Sequence, residues 1–250
     1  MKQAKIRSLM LFVAAIATVA LGPCVNVARA NSVTVTVLAT SDPFLAGAPS
    51  GSMCCSGDSA PAESPLLVTG IAVTPGAVFT FTNVSGSVSY SGGIPTDPPD
   101  GNPSFLITTS AYEGGAEAIN NIAGFTNVPL DALVGLFLGP GGAVLPAPAS
   151  INFGSGGVGT NFTSLSPALQ QLFFIGDGLT GTGTGSVQTF IVPAGATTLY
   201  LATVDGFGWY NDTGSFTVTV NSSSATPEPG SWLLLLTGLA GLALFARRSA

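Results

Sequence analysis

Between residues 31 and 222 the chain alternates apolar and small polar positions with a period of two, the pattern of strands with one face buried. Val33, Val35 and Val37 interleave with Thr34 and Thr36. Similar runs occupy 66–73, 78–81, 86–90, 133–138, 187–192, 198–203 and 216–220. Pro75-Gly76, Pro140-Gly141-Gly142, Pro193-Ala194-Gly195 and Thr213-Gly214 punctuate them as turns. A weak helical pattern covers only Ser166–Phe173. Many short strands with Gly/Pro turns and no fixed repeat predict an all-β jelly-roll or related β-sandwich. Gly181–Ser186 reads as a hairpin tip. Residues 91–102, with three prolines after Thr96 or beside it, read as a long polar loop on the sandwich rim.

The two ends break this pattern. Lys2, Lys5 and Arg7 precede an apolar run from Leu9 to Leu21, and Ala28-Arg29-Ala30 offers a small-x-small cleavage site, so 1–30 reads as a signal peptide. At the other end, 223–230 is a linker holding Pro227-Glu228-Pro229. Residues 231–250 follow, an apolar helix to Ala246 and then Arg247-Arg248. That helix reaches only about 24 Å, short for a hydrocarbon core of about 30 Å. The arginines orient its end toward the cytoplasm, leaving the 31–222 domain outside the inner membrane.

Motif, short helix and basic cluster in this order resemble the PEP-CTERM sorting signal. The resemblance implies an exosortase-type transpeptidase as partner, a transient inner-membrane anchor, and then a place at the cell surface or in an extracellular polysaccharide matrix. The same tail pattern also carries the label of an ice-binding protein C-terminal domain, which describes the tail and supplies no ice chemistry.

Charge changes the picture of the middle. All six Lys and Arg residues lie in the two end segments, there is no His, and the twelve acids lie between Asp42 and Glu228. A domain without cations cannot neutralise phosphates, which excludes nucleic acid as a partner, and its natural counterions are cations. Without His, Lys or a usable cysteine pair, nucleophilic and metal-hydrolase mechanisms lack parts, so no enzyme is expected. Carboxylate pairs such as Asp97 with Asp100, or Glu113 with Glu117, read as loop residues before they read as glycosidase machinery. The adjacent Cys54 and Cys55 are expected to be two thiols in a Gly/Ser loop, with a labile redox pair as the alternative.

One constellation carries candidate chemistry. Asp205-Gly206-Phe207-Gly208-Trp209-Tyr210-Asn211-Asp212 joins two strands and offers three oxygen-bearing side chains. Calcium takes six to eight oxygens, and glycines let backbone carbonyls turn inward. An ordinary hairpin end has the same composition, and the residues alone leave both open.

The segment also resembles the last hairpin of calcium-dependent galactose-binding bacterial lectins. That resemblance implies calcium held by Asp205, Asn211, Asp212 and the carbonyls of Gly208 and Tyr90. The loop is one residue shorter than the family's, and the family's sugar-contacting His has no counterpart. Asp100 or Asn102 is the candidate to replace it. The expectation is an exported surface or matrix protein binding extracellular polysaccharide through a calcium-supported sandwich. The alternatives are a structural or adhesive matrix protein without a defined ligand, or an ice binder built on Thr34/Thr36 and Thr217/Thr219.

Overall fold

The computed structural model describes residues 31–223. The signal segment with Ala28 and Ala30, and the sorting tail with Pro227, Glu228, Pro229, Arg247 and Arg248, lie outside the described residues. Among the described residues, no helix is long and apolar enough to cross a membrane.

The chain forms two principal sheets. Their strands are β1 (Asn31–Leu38), β2 (Leu66–Leu67), β3 (Val78–Ser89), β4 (Leu133–Leu138), β5 (Ser164–Leu165), β6 (Leu172–Phe174), β7 (Thr189–Ile191), β8 (Thr198–Thr203) and β9 (Thr213–Ser223). One sheet has the order β1-β9-β3-β7-β5 and the other β6-β4-β8-β2. All neighbours are antiparallel except β5 and β7. Short two-stranded ribbons occupy the connections, among them Met53–Cys54 with Asp58–Ser59 and Asn102–Ile107 with Val128–Leu130. The architecture is all-β and sandwich-like.

Alternation builds this core. Phe79, Phe81 and Phe190 face inward from the first sheet and meet Phe137 and Phe173 from the second. Phe79 packs edge-on to Phe137 with ring centroids 5.9 Å apart, and Phe173 lies 5.2 Å from Phe190. Such offset and edge arrangements add to the area buried. β4 is buried at every position, as a strand enclosed on both faces should be.

Several sequence expectations change. The runs 78–81 and 86–90 are one strand, because a bulge at Asn83, in the left-handed region at φ 52°, lets β3 bend without ending. Only Leu66 and Leu67 of the run 66–73 pair. Thr213-Gly214 opens β9 and is not a turn. No helix forms at 166–173: Pro167 interrupts it, and Gln170, left-handed at φ 62°, turns the chain into β6. Among the described residues the α-helix observed is the single turn Thr109–Tyr112. Cys54 and Cys55 are bonded to each other, S–S 2.03 Å, and not free.

Candidate metal centre

The loop between β8 and β9 is organised by carboxylates that accept from backbone amides. Asp205 turns both oxygens onto its own loop, accepting from Gly206 N and, at 3.2 Å, from Gly208 N. Asp58, fully buried on the neighbouring ribbon, accepts from Trp209 N and Tyr210 N, each at 2.9 Å. Trp209 is buried below, its indole N–H donating to the Thr203 carbonyl at 3.0 Å. These bonds hold 205–212 in a short 3-10 turn (Trp209–Asn211) that delivers Asp212 to the start of β9. Burial still raises the Asp58 and Asp205 carboxyls above their ordinary values, with the amides opposing it.

Asp212 and Asp131 have no such support. Asp212 is 6 % exposed and Asp131 1 % exposed, and none of their four carboxylate oxygens has a hydrogen-bond partner. Asp131 sits in the tight turn before β4, left-handed at φ 66°, with its N–H on the Val204 carbonyl beside Asp205. Its carboxyl lies beside that of Asp97, which can accept from it only while Asp131 keeps its proton, and the Tyr90 backbone amide opposes the rise. Asp97 is placed by paired backbone bonds with Val88, N to O 3.0 Å one way and 3.1 Å the other. Tyr90 follows Ser89, which lies opposite Thr213, so Asp97, Asp131, Asp205, Asp212 and Tyr90 converge on one end of the sandwich.

The electrostatics follow from that geometry. Desolvation first, then the charges of Asp205, Asp131 and Asp58, push Asp212 up to about 9. Desolvation, then the contact with Asp97, pushes Asp131 up to about 8. Residues 31–223 contain eleven acids and no Lys, Arg or His, so no side chain of the domain can neutralise them. Either protons or a cation must do it. The donor set is hard oxygen throughout, which suits calcium and excludes soft-metal chemistry.

The remaining site candidates divide. Asn211 is exposed on the 3-10 turn, and the Tyr90 ring is exposed. Gly208 is extended at φ −173° and committed through its N–H to Asp205. Asp100 lines a cavity of about 150 Å³, accepting from Asp177 N at 2.9 Å. Asn102 does not line it; its side chain accepts from Ser104 N at 3.1 Å, a local turn bond. Glu113 sits near Asp58 and Asp205.

Among the described residues, Asp42, Cys54 and Cys55 bring ligand atoms within 4.8 Å of one another. Their sulfurs are bonded together, so neither can serve as a thiolate ligand. Sequence reasoning passed over Asp131 and Asp97 as ligands. The available signal was the absence of any cation in the middle of the chain, which makes every buried acid a candidate. No protein-family model matches the chain, and no curated protein does.

Proposed function

We propose that this is an exported surface or matrix protein whose sandwich, of jelly-roll galactose-binding type, binds extracellular polysaccharide with calcium as a structural ion. Asp131 and Asp212 would hold the ion, Asp97 and Asp205 complete its acidic surround, and Asn211 with the Tyr90 and Gly208 carbonyls are further oxygen donors. One observation carries the reading: all four carboxylate oxygens of Asp131 and Asp212 are buried without partners in a domain with no cationic side chain. A divalent ion removes the mutual repulsion of these groups and replaces the hydration they lost.

The sorting half of the proposal rests on the terminal segments: cleavage after Ala30, transient anchoring by 231–250, and exosortase processing near Pro227-Glu228-Pro229. Mass determination of the protein recovered from the cell surface tests it, expecting both ends removed. Calorimetry with calcium, against a magnesium control, tests the ion. One ion bound with a raised melting temperature is expected, and no heat and no shift removes the calcium reading. A glycan array with and without calcium then tests the polysaccharide. Retention of nothing under either condition leaves the purely structural matrix role.

A further inference from the structure

We propose that the cavity beside Asp100 is a subsite for a neutral pyranose, coupled to the ion through the segment 97–101. The inference rests on the calcium reading above and adds a place and a chemical class for the ligand.

The cavity measures about 150 Å³ and is partly open, a concavity on the scale of a single sugar ring. Its wall combines Asp100, Thr160, Asn161 and Thr182 with the apolar surfaces of Phe174 and Pro98. A few convergent polar groups on an otherwise apolar concavity is the usual composition of a small-ligand site. A carboxylate has about four lone-pair positions, and Asp100 gives up one to the Asp177 amide, with Thr182 close by on the same wall. The remainder can accept charge-assisted bonds from ligand hydroxyls, and the Asn161 amide both donates and accepts.

Charge fixes the class. With no Lys, Arg or His among residues 31–223, the site cannot hold a uronate, sulfate or phosphate against Asp100. The ligand is therefore uncharged and rich in hydroxyls. A more open cavity of about 290 Å³ beside Asn120 and Asn121 lacks this chemistry: no carboxylate lines it, and its two amides already donate to the carbonyls of Phe44 and Ala143, each at 3.0 Å.

Coupling follows from the chain between the two sites. Asp97 faces Asp131, and Asp100 lies three residues on. Pro98 and Pro99 fix φ between them, Gly101 N closes a turn on the Pro98 carbonyl at 2.8 Å, and Leu133 N holds the Pro99 carbonyl at 2.9 Å. A segment this stiff transmits a displacement of Asp97 to Asp100. Gly176 completes the fit: a Cβ there would collide with the Asp100 Oδ1, and its φ of 58° already favours glycine.

The test titrates the full chain with a set of neutral methyl pyranosides, with calcium and after chelation, alongside Asp100→Asn, Asn161→Ala and Asp97→Asn. At least one glycoside is expected to bind, at least fivefold more weakly once calcium is removed. Asp100→Asn and Asn161→Ala should each cost tenfold or more in glycoside affinity and leave calcium affinity unchanged; Asp97→Asn should weaken both. Asn161 is exposed, so its variant reports on the site even if the Asp100 variant folds poorly. If no glycoside binds, or binding is indifferent to both pocket variants or to chelation, the inference fails while calcium uptake by the wild type still upholds the earlier reading. If the wild type takes up no calcium, that earlier reading fails with it.

Discussion

The centre of the sandwich and its acidic end solve opposite problems. In the centre, Phe79, Phe81, Phe137, Phe173 and Phe190 complete one another, each ring filling space another leaves. At the end, Asp131 and Asp212 are as thoroughly enclosed, yet among the described residues no donor completes their carboxylates. Burial of apolar groups is its own reward in free energy, whereas burial of a carboxyl must be offset by a proton, a donor or an ion. The difference separates a region that specifies the fold from one that waits for something outside it.

The comparison breaks most sharply at the centre. Phe81→Ala should lower stability by about 3–5 kcal/mol in urea unfolding, equally with and without calcium, since the loss is of packing. Asp58→Ala leaves the Trp209 and Tyr210 amides buried without an acceptor, and a loss of about 1–3 kcal/mol is expected together with weaker calcium binding.

The pH dependence of the acidic end is read per pH unit. Asp131 and Asp212 titrate near 8 and 9 in the fold, against 3.8 for an ordinary aspartate. Between pH 4 and those values the folded state holds protons that the unfolded state has released. Metal-free stability is therefore full below about pH 4, falls from there with a slope of about 1.4 kcal/mol per pH unit for each group, and levels off once pH has risen through 8 and 9. Calcium competes with those protons, so its stabilisation should grow from pH 6 to pH 9; melting curves at fixed calcium across that range measure it.

Asp212→Asn sharpens the contrast further. At pH 8 it spares the folded state the proton that Asp212 must otherwise take up, so it should stabilise the metal-free protein by at least about 1 kcal/mol while reducing calcium affinity, a reversal no core substitution produces. The smallest effect belongs to Cys54→Ser with Cys55→Ser. A bridge between adjacent residues closes almost no loop, so a change below about 1 kcal/mol is expected in the same urea experiment.

Where side chains alternate against a single buried face, the fold is legible in the sequence. β1, β4 and β8 coincide with the runs read from their apolar periods at 33–37, 133–138 and 198–203. β3 was harder, because Asn83 and Gly86 look like a break when they form a bend within one strand. The candidate site divides along the same line. Asp205 and Asp212 share one loop and announce themselves by local composition. Asp131 and Asp97 reach the same end only through the backbone bonds to Val204 and Val88, contacts that no spacing encodes.

The pairing of β1 with β9 carries one more consequence. Asn31 lies opposite Ser222, so the chain enters and leaves the sandwich at one pole, and Asp212 lies at the opposite end of β9, about 30 Å away at the rise of an antiparallel strand. Tension applied across the two termini would load this ladder like a zipper, parting its bonds one after another from the Asn31 end. Extension experiments should record low rupture forces there, with the carboxylate pole the last part of the ladder to open.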